Sequence, residues 1–205
     1  MKKIILSCAV LTIIAGCKTL STSSKTDYCY VDKLKLSAAG STAFIELYNE
    51  SEYPDIQAET TDILYHSILK KQLFTLNLVK QDSPAWKSIG YQPNSNFTLE
   101  QLYQLQQSLS TRAVLVGSVI DFQPYPHLSI AMRLKMTDLA DGQTIWAAEQ
   151  VWDSADKNIE QRVEKYIRAN MRTDRTADRE KLTFVSSKEF IKFVCYELAE
   201  TMKNQ

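Results

Sequence analysis

The sequence predicts a single α/β domain on a mixed sheet, parallel through a βαβαβ start, antiparallel in a closing hairpin, and flanked by helices. Three observations predict it. From Ala43 to Asp121, short apolar runs of strand character alternate with stretches of helical period, the order of parallel crossover units. Leu128, Ile130, Met132, Leu134 and Met136 then alternate with Ser129, Arg133, Lys135 and Thr137, as in a strand with one wet face. Asp141-Gly142 supplies a tight turn into a return strand from Thr144 to Trp152.

Each element follows from its own residues. Phe44, Ile45, Leu47 and Tyr48 make a short strand, closed by Asn49-Glu50-Ser51-Glu52 and Tyr53-Pro54. Ile56, Ile63, Leu64, Ile68, Leu69 and Leu73 fall near a 3.6-residue period, and Pro54 and Asp55 suit a helix start. Phe74, Leu76 and Leu78 alternate as a second strand. Thr98 with Gln101 forms a capping box, which predicts a helix with Leu99, Leu102, Leu105 and Leu109 facing inward. Ala113 to Asp121 is almost wholly apolar, the signature of a central strand covered on both faces, and Gly117 inside it marks a bulge or a close approach. Ile159, Val163, Ile167 and Met171 stripe a charged helix, followed by a loop of alternating charge from Arg172 to Lys181. Ser186 with Glu189 caps a last helix whose Phe190, Phe193, Val194, Leu198 and Met202 should pack on the sheet. There is no internal repeat.

The amino terminus has its own logic. Lys2 and Lys3, an apolar run from Ile4 to Ala15, then Gly16 and Cys17 have the layout of an export signal. The run is shorter than the ~20 residues that a membrane-spanning helix needs. Ile14-Ala15-Gly16-Cys17 resembles the bacterial lipoprotein signal, which implies cleavage before Cys17 and acylation of that cysteine on its sulfur and its new amino group. The expected organisation is a signal peptide over 1–16, a lipidated cysteine and flexible tether over 17–27, and a periplasmic domain over 28–205. Lys18 is not the aspartate of the best-known inner-membrane retention rule, so the resemblance implies the outer membrane, with the domain facing the periplasm. An ordinary secretory signal or a cytoplasmic chain with an apolar start are the alternatives. About ten residues of polar tether span at most about 35 Å, so an acylated Cys17 keeps the domain near the lipid.

Composition narrows the partners. Without Lys2 and Lys3 the 24 basic residues fall to 22 against 24 acidic ones, too balanced to predict the clustered cationic face that nucleic acid requires. With Cys8 removed and Cys17 acylated, Cys29 and Cys195 remain. An even pair in an oxidising compartment reads as a disulfide, with two separate buried thiols as the alternative.

The phrases AFIELYNESEYPD, STRAVLVGSVIDFQPY and MRLKMTDLADGQTIWAAEQVW together resemble a family of periplasmic α/β lipoproteins. It includes the curli-secretion channel subunit, the outer-membrane activator of penicillin-binding proteins, and the amino-terminal domain of the Tol-system propeller protein. Asn49 and Ser51, Gly117, Asp141-Gly142 and Trp146 occupy the family's turn, strand and hairpin positions. The resemblance implies the fold more than a role. A curli-type pore would need two long lipid-facing hairpins, and the stretch from Asp156 to Lys181 is too charged to supply one. A synthase activator would need to reach across the envelope, which the short tether disfavours unless the partner extends outward.

Catalytic motifs do not emerge. His66 and His127 lack a second His or Cys at metal-ligand spacing, and there is no G-x-S-x-G elbow, Walker loop or C-x-x-C. Glu46 and Glu149 are one carboxylate pair that could meet across the sheet. No catalytic residue, metal or cofactor is expected. The surface that stands out is Pro124, Tyr125, Pro126 and His127, where a stiff turn could present Tyr125 as an interface anchor or fold it back on the sheet. Trp86, near Pro84, and the Arg172 to Lys181 loop are weaker candidates. These readings converge on a non-catalytic binding or assembly subunit of a cell-envelope complex. It would be held to the membrane through acyl chains on Cys17 and would engage a protein partner or further copies of itself. A synthase activator and a periplasmic hydrolase are the alternatives.

Overall fold

A computed structural model describes residues 28–170 and 186–203. The chain order is β1 (Tyr28–Val31), α1 (Lys33–Ser37), β2 (Ser41–Ile45), β3 (Tyr48–Asn49), α2 (Ile56–Leu69), β4 (Thr75–Val79), α3 (Pro84–Lys87), α4 (Leu99–Leu109), β5 (Ala113–Gln123), β6 (Ser129–Asp138), β7 (Thr144–Asp153), α5 (Lys157–Asn170) and α6 (Ser187–Thr201). The strands form one seven-stranded sheet in the order β1-β7-β6-β5-β2-β4, with β3 also beside β5. β2 runs parallel to β4 and β5, whereas β5, β6, β7 and β1 are antiparallel in succession. The expected mixed sheet is therefore present.

Side-chain alternation decides which faces are covered. On one face, Phe44 and Leu115 of the parallel strands and Ile130, Met132, Leu134, Trp146 and Trp152 of the hairpin form a continuous core with α1, α2, α5 and α6. Two indole nitrogens fasten α6 to β7: Trp146 Nε1 donates to Thr201 Oγ1 at 3.0 Å, and Trp152 Nε1 to Glu197 Oε2 at 2.7 Å. On the opposite face only the parallel half is roofed, where Ala43, Ile45, Val114 and Val116 meet Trp86 of α3 and Leu102 and Leu105 of α4. The reason lies in the strands themselves. β2 and β5 are apolar on both sides, while β6 and β7 turn Arg133, Lys135 and Glu149 outward, and charged groups stay in water unless paired.

Gly117 sits at the seam between the halves. A Cβ there would lie 2.4 Å from Leu134 Cδ2 and 2.6 Å from the Arg133 carbonyl oxygen, so its role is close approach; the register shift falls between Val119 and Asp121. The Thr98–Gln101 capping box forms, and Ser186 accepts from Glu189 N.

Several expectations are corrected. Leu99 is 83% exposed and only Leu102, Leu105 and, in part, Leu109 face inward; at about 100° per residue, Leu99 lies about 120° around the helix from Leu105. Asp55 precedes α2 with φ 67° and no side-chain capping bond. β1, not anticipated, adds an antiparallel edge to β7. Cys29 and Cys195 are free thiols in the structure, against the disulfide reading. Cys195 is buried with Sγ directed at Thr60 O of α2, 3.9 Å away, while Cys29 lies on β1, three strands from β5. Met171 and the Arg172 to Lys181 loop lie outside the described residues, as do the signal, Cys17 and the tether.

Candidate functional site

The face of β5, β6, β7 and β1 that no helix covers carries an organised set of polar side chains. Strand register sets its rows. Tyr28 lies opposite Glu149, Glu149 opposite Arg133, and Arg133 opposite Ser118; in the next row Tyr30 faces Ala147, Ala147 faces Lys135, and Lys135 faces Val116. Side chains alternate across a strand, so all of these project to the same side. Ala131 and Ala147 are small, which leaves shallow floors flanked by tyrosine and charge.

Arg133 organises the surface. Its Nε and Nη2 donate to Glu149 Oε2 and Oε1 at 2.8 and 3.0 Å, a two-pronged fork, and Nη1 donates to Asn94 Oδ1 at 2.5 Å. The Arg133–Glu149 hydrogen bonds, with the adjacent positive charge, hold the Glu149 carboxyl below the usual carboxylate range. Lys135 Nζ donates to Asn96 Oδ1 at 2.8 Å. The two amides thus pin residues 93–96 along the rim of a depression of about 210 Å³, also lined by Tyr48, Tyr91, Gly117 and Arg133. Behind the rim, Tyr91 stacks on Phe97 with ring centres 4.5 Å apart, and Trp86 Nε1 donates to Tyr48 Oη at 3.0 Å. Burial pushes the Tyr91 phenol up to about 12, so it stays protonated and acts as packing.

The residues singled out from sequence are dispersed. Tyr125 is 84% exposed and does not fold back on the sheet; Pro126 and His127 are exposed beside it and Pro124 is half-buried. This turn projects from the end of the β5–β6 hairpin, outside the open face. Trp86 is core, not surface, at 4% exposure. Glu46 and Glu149 do not meet, because Glu46 accepts from Gln81 N at 3.2 Å while Glu149 is committed to Arg133. His66 is exposed on α2, its Nδ1 2.8 Å from Asp62 O. Among the described residues, no group of three or more His, Cys, Asp or Glu could hold a metal ion, and no helix is long and apolar enough to cross a membrane. Sequence reasoning missed Tyr28, Tyr30, Asn94, Asn96 and the Arg133–Glu149 fork. Arg133 and Lys135 were visible as the polar half of a strict alternation, but Glu149 meets Arg133 through the hairpin register and the amides of Asn94 and Asn96 come from a loop 39 residues away.

No family model matches the chain, and no curated protein matches its sequence. Solved structures of similar course include a single-residue variant of the PelC dodecamer from Paraburkholderia phytofirmans, at 10% identity over 82% of this chain and 91% of that one, TM-score 0.49. Another is the LpoB C-terminal domain from Salmonella enterica, at 22% identity over 56% and 83%, TM-score 0.41. A third is lipoprotein GNA1162 from Neisseria meningitidis, at 15% identity over 65% and 99%, TM-score 0.42. Identities and scores of this size leave the role of this chain to its own residues.

Proposed function

We propose that this protein is a lipid-anchored, non-catalytic binding subunit of a cell-envelope assembly, which faces the periplasm from the outer membrane and docks a protein partner on its open sheet face. The observation that carries the reading is that bare face, where the Arg133–Glu149 fork, Lys135 and the exposed Tyr28 and Tyr30 stand in register over small residues. Tyrosine and arginine serve interfaces well: they offer large contact area with few rotors and directional donors. The lipoprotein-like segment ending at Cys17 supports the anchor and the compartment.

The test is affinity capture of the full chain from detergent-solubilised envelopes, comparing wild type with Tyr30→Ala and Arg133→Ala. Loss of the same co-purifying protein from both variants supports the reading, and a second copy of the chain as that protein would identify self-assembly. An unchanged partner set in both, with folding verified, overturns it.

A further inference from the structure

The direction of β1 orients the molecule on its membrane. β1 pairs Tyr28 with Glu149 and Val31 with Trp146, so β1 runs away from the end of the sheet where β6 begins and β7 finishes at the Ser129–Asp153 pair. From that end projects the turn of Pro124, Tyr125, Pro126 and His127. Tyr28 and the turn are separated by about 14 Å along the strands and about 10 Å across them. Other exposed apolar groups gather there. The Tyr53 ring stands edge-on to Phe122 at 5.4 Å, and Val151 is exposed opposite Ala131. The exposed Leu34 of α1 belongs to the far end, where its neighbour Lys35 pairs with Asp141 at the β6–β7 turn.

We propose that this end, with Tyr125 foremost and Tyr28 and Tyr53 beside it, seats in the headgroup layer of the membrane that holds Cys17. The proposal rests on the lipid-anchor reading. Cys17 lies about ten residues before Tyr28, a contour of at most about 35 Å, which spans the roughly 14 Å from Tyr28 to this end, and β1 runs away from this end as it enters the sheet. Tyrosine rings suit the boundary between headgroups and acyl chains because one edge is apolar and the other hydrogen-bonds water or phosphate. The rim of this end carries exposed carboxylates at Glu52, Asp55, Asp121 and Asp156. These complement the ammonium groups of phosphatidylethanolamine and repel strongly anionic lipid. Seated this way, the open sheet face stands upright beside the membrane, accessible to a partner from the side.

The full mature protein, purified with its own anchor, is reconstituted into vesicles of phosphatidylethanolamine with a minor share of phosphatidylglycerol. Tyr125→Trp serves as a depth probe, since the native Trp86, Trp146 and Trp152 are buried. Brominated lipid is expected to reduce the added emission about twofold or more, while Leu34→Trp at the far end is unaffected. Raising the phosphatidylglycerol share should weaken the effect. Equal quenching of both probes, or none at position 125, overturns the proposal, and a protein adduct from a photo-crosslinker placed there would give the turn to a partner instead. Mass spectrometry of the same sample separates the two readings. An acylated Cys17 with an unquenched position 125 sinks the seating alone, whereas an unmodified terminus sinks both.

Discussion

The two halves of the sheet are built by opposite rules. In the parallel half, β2 and β5 place apolar side chains on both faces, and helices roof both: Phe44 and Leu115 on one side, Ile45, Val114 and Val116 on the other. In the antiparallel half, β6 and β7 bury Met132, Leu134, Trp146 and Trp152 on one side and hold Arg133, Lys135 and Glu149 in water on the other. Parallel strands need crossover helices that inevitably cover their faces, whereas a hairpin closes with a tight turn and can leave one face bare. The difference separates stability from interaction. The helix-covered core spans both halves, so the bare face can change without unfolding the domain.

Four measurements would break or sharpen that contrast. The largest effect belongs to the shared core: Trp146→Ala should lower the unfolding free energy by about 3–5 kcal/mol in a denaturant melt, through lost burial and a residual cavity. A loss under one kcal/mol would mean that the hairpin contributes little to the core. Gly117→Ala forces a methyl against Leu134 and the Arg133 carbonyl at the seam, and a cost of about 1–3 kcal/mol is expected. Thr98→Ala removes the hydroxyl that accepts from Gln101 N; about 1 kcal/mol should vanish from a helix that roofs only the parallel half. The smallest effect is on the bare face, where Arg133→Met and Val151→Ser should each shift stability by about 0.5 kcal/mol or less while the former loses partner capture.

Acidity gives an independent check on the same fork. The folded-state carboxyl of Glu149 titrates below its unfolded value, so its contribution is present above the unfolded value and is lost as pH falls through the folded one. Because both partners are substantially solvent-exposed, the slope is shallow. Comparing wild type with Glu149→Gln from neutral pH into the acid range should show a slightly flatter curve for the variant. Identical curves would deny the fork any energetic role.

What could be read from the chain depended on whether the signal was local. The capping box at Thr98, the N-cap at Ser186, the Asp141-Gly142 turn and the alternation of β6 are short-range patterns, and each formed. Leu99 misled because helical period marks a stripe without saying how wide the covered part of the helix is. Trp86 misled in the other sense: it stands among turn residues, yet α3 folds it against Tyr48 and Phe97, residues remote in sequence. β1 carries no clear strand period in four residues and exists because β7 offers it an unpaired edge. The cysteine pair shows the same limit, since parity in a sequence cannot say that one thiol faces α2 and the other rides the sheet edge.

By itself, the sequence determined the α/β class, the change from parallel to antiparallel strands, the wet side of β6 and the acyl-anchor expectation at Cys17, because these rest on period, turn chemistry and nearest neighbours. Only the tertiary structure decided that Arg133, Glu149 and Asn94 meet, that Tyr28 and Tyr30 join them, and that Tyr125 stands at the end from which β1 begins. Those relations join segments from 16 to more than a hundred residues apart, and strand order and register, not local preference, bring them together.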